Sequence, residues 1–287
     1  VPYTVDSETG TLKEVLVCPP THFEWLPVNT SGLRSLASGA RLDRGAVIAQ
    51  HGELVDALRQ AGATVRELEP QPHLKYMVYT RDSSIVTPWG PVVTQMRKPQ
   101  RWGEFAHLAE FYERVGSPVW RYITHGSIEG GDVSIVRPGL LVVGRSDVRT
   151  DADGARQFCS WFEDEGWETY VLPFDDHFCH LDLIFGMVSE SLALGLVDVL
   201  PPDFLQLLDR HGIEIIPITY AQAMGLGANV LALGADRVIS PAENVAVNEL
   251  LRAHGITVLD PHLGQILKGG GSAHCTTMPL VREPVPT

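Results

Sequence analysis

Apolar and polar positions along the chain switch repeatedly from a helical spacing to the shorter alternation of a strand, and a glycine stands at each switch. The five copies of this phrase are LRQAGATVRELEP (58–70), YERVGSPVWRYI (112–123), FEDEGWETYVLPF (162–174), LDRHGIEIIPI (208–218) and LRAHGITVLDP (250–261). Each predicts a helix, then a residue in the left-handed conformation that glycine adopts at low steric cost, then a strand. Gly62, Gly116, Gly166, Gly212 and Gly255 therefore mark five units with a period of roughly 45 to 55 residues, the scale of repeat architectures.

Between these phrases lie the apolar runs LKEVLVCP, SSIVTPWGPVVTQM, VSIVRPGLLVVG, LIFGMVSESLALG and NVLALGADRVIS, several of them broken by a Gly-containing turn as hairpins are. The pattern predicts an α/β chain of ββαβ-like units repeated around an axis, read as one domain over residues 1–287. An ordinary α/β protein also contains helix-glycine-strand phrases; five copies in one chain favour the repeat.

The segment after each terminal strand carries the reactive groups: YTRD (79–82), EGGDV (129–133), CHLD (179–182), GLGANV (225–230) and GGGSAHC (269–275). Equivalent positions of units arranged around an axis converge on it. Residues scattered over almost two hundred positions are thus expected in one pocket, with the glycines letting the backbone cross a crowded centre.

Composition narrows the class of function. The 287 residues are 44% hydrophobic and 20% charged, as expected for a globular protein with a large core, and the net charge of −13 offers phosphates no basic track. Nucleic acid is not an expected partner. No apolar run reaches the ~18 to 20 residues of a membrane span, and the start lacks a signal-peptide pattern, so the expectation is a cytoplasmic protein. Cys18, Cys159, Cys179 and Cys275 have no CxxC spacing and read as free thiols.

A nucleophilic cysteine needs a neighbouring base or cation to supply thiolate character. An inert buried thiol fits Cys18 and Cys159, which sit in apolar strand-like and helical patterns. It fits Cys275 less well, because GGGSAH offers no apolar packing surface before it. His180 is the candidate base or acid, and His274 a weaker one because adjacent residues in an extended segment point apart. Asp82, Glu129, Asp132 and Asp182 converge on the same place, a costly arrangement unless a cation lies among them. A guanidinium suits the need: two carboxylates grip its planar fork and hold its carbon for attack, with Glu129 and His180 handling protons. Asn229 is expected to make structural or substrate hydrogen bonds, Arg81 to hold the neighbouring Asp82, and Trp89, Trp161 and Trp167 to pack.

A metal ion is the other cation, and a metal-dependent hydrolase the second class of function. DDHFCHLD (175–182) crowds Asp175, Asp176, His177, Cys179, His180 and Asp182 into eight positions. It lacks the D-x-H-x-D spacing of binuclear hydrolases, and no H-E-x-x-H is present. His177 with Asp175 and Asp176 is expected in a solvated loop.

Taken in order, R-D, E-G-G-D-V, H-L-D and G-G-G-x-x-H-C resemble the guanidine-modifying superfamily of arginine deiminases, dimethylargininases, agmatine deiminases and amidinotransferases, over nearly the whole chain. The resemblance implies a fivefold α/β propeller, Cys275 as nucleophile, His180 and Glu129 as the proton-transfer pair, and Asp82 and Asp182 as guanidinium clamps. GRSDVRT (144–150) is similar to a G-x-S-x-R-T stretch with one extra residue, which implies Arg149 as anchor for a substrate carboxylate. Asp182 is similar to the deiminase and amidinotransferase pattern, whereas dimethylargininases tend to carry lysine there, so that reading ranks lower. Glu129 is similar to hydrolases, and the tail CTTMPLVRE resembles arginine deiminases; YTRD differs from the F-T-A-N of arginine dihydrolases, and His274 is similar to amidinotransferases and agmatine deiminases.

The implied reaction is hydrolysis of a free guanidino compound, L-arginine to citrulline and ammonia, through an amidino-cysteine intermediate. Amidino transfer to an amine and dimethylargininase-type hydrolysis are the alternatives. No organic cofactor or metal is implied; the partner is a small guanidino substrate, and a homo-oligomer is left open.

Overall fold

All five glycine-stopped helices appear in the computed structural model, which describes residues 3–285. Gly62, Gly116, Gly166, Gly212 and Gly255 have φ of 94°, 72°, 80°, 68° and 81°. In each copy the N–H after the glycine donates to the carbonyl five residues earlier, from Ala63 to Leu58 through Ile256 to Leu251, at 2.9 to 3.1 Å. These are the bonds of a helix closed by a left-handed residue. A Cβ added at any of the five meets nothing within 4 Å, so backbone conformation and not space demands glycine. Gly212→Ala is accordingly expected to cost about 1–2 kcal/mol, measurable as a lower urea midpoint with an unchanged slope.

The first blade holds β1 (Leu12–Val17), helices α1 (Thr30–Ala37) and α2 (Arg44–Gln60), and β2 (Thr64–Glu67). The second is β3 (Ser84–Thr87), β4 (Gly90–Val93), α3 (Glu104–Arg114) and β5 (Arg121–Tyr122). The third is β6 (Val133–Arg137), β7 (Leu140–Arg145), α4 (Ala152–Glu163) and β8 (Glu168–Pro173). The fourth is β9 (Phe185–Met187), β10 (Leu192–Gly195), α5 (Pro202–Arg210) and β11 (Glu214–Pro217). A short α6 (Tyr220–Met224) leads to the fifth, β12 (Leu231–Gly234), β13 (Arg237–Ile239), α7 (Val245–Ala253) and β14 (Thr257–Leu259). After α8 (Gly264–Leu267), β15 (Met278–Arg282) completes the first blade by pairing antiparallel with β1, Leu16 opposite Met278 and Leu12 opposite Arg282.

Every blade is a three-stranded sheet in which an antiparallel pair is extended by a parallel strand on the far side of the helix. The molecule is thus a five-bladed α/β propeller closed by strands from both ends of the chain. Burial grades outward. All four residues of β3 and of β4 are buried, whereas β5 is exposed, as is most of β2. One helix of each blade covers it with an apolar stripe, as α5 does with Phe204, Leu207 and Leu208 at helical spacing. The tryptophans pack as expected: Trp89 lies 4.9 Å from Phe162 and 5.9 Å from Trp167, ring centre to ring centre, and Trp161 lies against Trp120 and Phe158.

The reactive segments all fall just before the innermost strand of a blade and are stitched together at the centre. Arg81 N–H donates to the Cys275 carbonyl at 3.1 Å, Gly130 N–H to the Asp82 carbonyl at 3.1 Å, and His274 N–H to the Asn229 carbonyl at 3.3 Å. No described helix is long and apolar enough to cross a membrane.

Candidate active site

The run of three glycines before the thiol is dictated by contact. A Cβ on Gly269 or Gly271 would lie 2.4 Å from the Tyr79 ring or its hydroxyl, and one on Gly270, whose φ is 103°, would strike Asn29. The chain then turns, with Thr276 N–H donating to Ser272 O at 3.0 Å. Asn229 holds this turn. Its Oδ1 accepts from Ser272 N and Cys275 N at 3.1 and 3.2 Å, and its Nδ2 donates to Cys275 Sγ at 3.0 Å. The oxygen of Asn229 and one of its two amide N–H groups are therefore spent on the thiol loop. Cys275 is only 3% exposed and packs in an apolar cluster with Phe23, Tyr79 and Ala273. The expected lack of apolar packing is corrected: the glycines supply none themselves but admit the aromatic rings that do.

On its other side the Cys275 thiol donates to Asp182 Oδ2 at 3.3 Å, and the same oxygen accepts from His274 Nδ1 at 2.9 Å. Asp182 Oδ1 is buried with no hydrogen-bond partner among the described residues. The expectation that His274 points away from Cys275 fails because both lie in a turn, not an extended strand, and both reach Asp182. Burial and the charges of Asp182 and Asp82 push the Cys275 thiol well above its ordinary value, so it rests protonated. Burial acts against ionisation of Asp182, but bonds and charge from His274 and the charge of His180 outweigh it and hold the carboxyl below its usual value.

His180 and Glu129 face each other, Nε2 donating to Oε2 at 2.8 Å, both fully buried. Burial opposes both charges, yet the acids around His180, Asp82, Asp132 and Glu129 among them, raise it well above 6.5. Arg149 and His180 in turn bring Glu129 down to about 2 despite its burial. The pair is an ion pair at neutral pH. His180 Nδ1 stands 3.8 Å from Asp82 Oδ1, and no hydrogen bond joins the ring to the Cys275 sulfur. The expectation that His180 directly supplies thiolate character is corrected: its nitrogens face carboxylates, while the sulfur faces Asp182 and Asn229.

Asp82 is held by Arg101, which the sequence did not single out. Arg101 is fully buried, its Nη1 on Asp82 Oδ2 and its Nε and Nη2 on Glu104 at 2.9 and 2.8 Å. Arg81, expected on Asp82, instead faces Glu8 at 3.5 Å and donates Nε–H to the His274 carbonyl at 3.3 Å, because successive residues leave the backbone in different directions. Arg149 gives Nη1 to Glu129 at 3.3 Å and Nη2 to the Val28 carbonyl at 2.7 Å, so its guanidinium is engaged within the protein. GRSDVRT turns at Asp147, whose φ is 61°. Gly131 lies between the two halves of the site: its N–H donates to Asp82 Oδ1 at 3.0 Å, and a Cβ there would press on His180 at 2.8 Å.

Arg149 also lines a cavity of about 540 Å³, with Asn29, Lys98, Gln100 and Cys179 on its wall. His177 lies on that wall too, stacked on Tyr220 with Nε2 2.6 Å from the phenol oxygen, while Asp175 caps the turn through His177 N–H. The dense DDHFCHLD segment thus splits, His177 outward and His180 inward. Asp82, Glu129 and His180 could each offer an atom to one metal ion, all within 4.8 Å of one another. Arg101 and Arg149 already neutralise the two carboxylates, and two fixed guanidinium charges beside such an ion oppose it.

The sequence family described as N,N dimethylarginine dimethylhydrolase, eukaryotic, matches residues 34–282. The chain belongs to this family. Its members are guanidine-modifying enzymes, in agreement with the ordered motifs above. Among relatives, the uncharacterized protein YkgA of Bacillus subtilis is 33% identical over 96% of this chain and 94% of its own length. Arginine deiminase of Listeria monocytogenes is 30% identical over 75% of this chain, which spans only 63% of that enzyme. The N-terminal domain of ArgZ, a cyanobacterial arginine dihydrolase solved with substrate bound, superposes with a TM-score of 0.82 at 21% identity, covering 95% of this chain and 99% of that one. The low rank given to dimethylargininases rested on Asp182 alone; family membership restores that reading to consideration.

Proposed function

We propose that the protein hydrolyses a free guanidino compound, L-arginine first, to citrulline and ammonia through a covalent adduct on Cys275. The observation that carries this reading is the buried, unpartnered Asp182 Oδ1 beside a thiol bonded to the other oxygen of the same carboxylate. A guanidinium N–H satisfies that oxygen and brings the central carbon toward the sulfur. The open acceptor capacity of Asp82 Oδ1 serves the opposite edge. The bound cation offsets the carboxylate charges that keep the thiol protonated, so with substrate present the thiol releases its proton to solvent and the thiolate forms.

The chemistry then proceeds in two halves. Sulfur attacks the guanidinium carbon, the imidazolium of His180 protonates the departing nitrogen, and ammonia leaves an amidino-thioether. Neutral His180, oriented by Glu129, then takes a proton from water, whose oxygen attacks the same carbon; collapse returns the thiol and releases citrulline. Arg149 acts chiefly by holding Glu129. In this reading it anchors a substrate carboxylate only on rearranging, and the cavity wall it shares with Lys98 is where such a group would lie. A free thiol doing this work suits a reducing compartment, and the described cysteines are all free.

Family membership favours a second reading, hydrolysis of methylated arginine. The two separate by product: incubation with L-arginine and with N,N-dimethylarginine, scored for ammonia or dimethylamine beside citrulline, is expected to favour arginine. Acid quench and intact mass should find the adduct on Cys275. Adding glycine and finding a new guanidino compound in place of citrulline would instead mark amidino transfer. Loss of activity to chelators, with no adduct, would reject the thiol mechanism. Glu129→Gln is expected to lower kcat by about 10²–10⁴-fold, the span of general acid–base contributions, with a smaller change in KM.

A further inference from the structure

We propose that Glu8 and His274 form a positioning pair that pins Asp182 with one oxygen free for the substrate, so that Glu8, far in sequence from the other site residues, sets guanidinium affinity. The inference rests on the guanidino reading of the site.

Two carboxylates flank the ring of His274. Its Nδ1 faces Asp182 Oδ2 at 2.9 Å and its Nε2 faces Glu8 Oε2 at 3.5 Å. Nδ1 donates to Asp182, and a second carboxylate at ion-pair distance from Nε2 favours the doubly protonated ring, so we take His274 as an imidazolium. Glu8 Oε1 in turn faces Arg81 Nη1 at 3.5 Å. The result is a line of alternating charge behind the thiol: Asp182, His274, Glu8, Arg81. Arg282 also faces Glu8, and His180 faces Asp182 from the catalytic side. Burial and Arg81 oppose the charge on His274, but Asp182 and Glu8 prevail and raise it.

Glu8 is delivered rigidly. Its N–H donates to Ile135 O at 2.7 Å, Val5 N–H to Thr87 O at 3.2 Å, and a Cβ on Gly10 would lie 2.1 Å from the Glu283 carbonyl. With His274 held from behind, Asp182 has both donors on Oδ2 and none to draw Oδ1 away from the site. Removing the Glu8 charge weakens the proton on His274, and a neutral ring gives Asp182 a weaker donor than a cationic one.

The test compares the wild type with Glu8→Gln, which keeps the shape, and Glu8→Asp, which keeps the charge. Glu8→Gln is expected to raise KM for arginine about 10- to 100-fold, the range of a charged hydrogen bond, with a smaller change in kcat. Because the imidazolium is lost as pH rises through its folded-state pKa, KM should climb on the alkaline side, and in Glu8→Gln that climb should begin at lower pH. Glu8→Asp should recover much of the wild-type profile. Unchanged KM and pH profile in Glu8→Gln would overturn the proposal.

An independent measurement is NMR titration of the His274 ring in the wild type. An imidazolium persisting through neutral pH supports the pair, and a neutral ring there overturns it. That result decides the matter if Glu8→Gln fails to fold. It also does so if no guanidine is turned over, in which case the proposed function falls while the pair is judged on its own.

Discussion

Cys275→Ser is expected to abolish conversion of L-arginine to citrulline, by at least about a thousandfold, the scale on which loss of a nucleophile acts. The hydroxyl is smaller than the thiol and keeps the hydrogen bonds to Asn229 and Asp182 within reach, so the loop should stay folded. Arginine should still bind, because the unpartnered oxygen of Asp182 is untouched, and calorimetry on the variant would measure it. Turnover near the wild-type rate would remove Cys275 from the mechanism. Binding lost together with turnover would place the defect in the loop and not in the chemistry.

The second large effect is on stability. Arg101→Met should destabilise the protein by about 3–5 kcal/mol, the cost of removing one partner from a buried ion pair, because Asp82 and Glu104 are then left facing each other without a cation. Arg101 is about 2% exposed, and its guanidinium meets both carboxylates and the Tyr79 carbonyl. Denaturant melts of the variant check the figure. Adding Glu104→Gln should return part of the loss by removing one of the stranded charges, and a second substitution that made matters worse would argue against the charge account. Activity should fall with Arg101→Met as well, since Asp82 loses the group that fixes its orientation.

Much of the molecule was legible in the sequence, for reasons that particular residues make plain. A left-handed turn after a helix admits few residues besides glycine, so Gly62, Gly116, Gly166, Gly212 and Gly255 announced their conformation directly. Cys275, His180, Glu129, Asp82 and Asp182 stood out because chemistry needs those residue types and because all fall at one phase of the repeat. Arg101 gave no such signal: an arginine in the polar stretch KPQR reads as a solvated side chain, and only the surrounding fold shows it buried. Glu8 was hidden likewise, a single acid in the polar opening segment.

The sequence by itself determined the repeat, the phase of the reactive segments and hence the convergence of the acids, the histidine and the thiol on one axis. Those follow from local rules, the period of apolar residues and the conformations a backbone allows. Tertiary structure alone decided which charge meets which: Arg101 on Asp82, Arg149 on Glu129, Arg81 and His274 on Glu8, and Asp182 between the thiol and His274. Pairing of charges depends on distances between side chains from different blades, and on the closure of the ring by β15 beside β1, which no local pattern encodes.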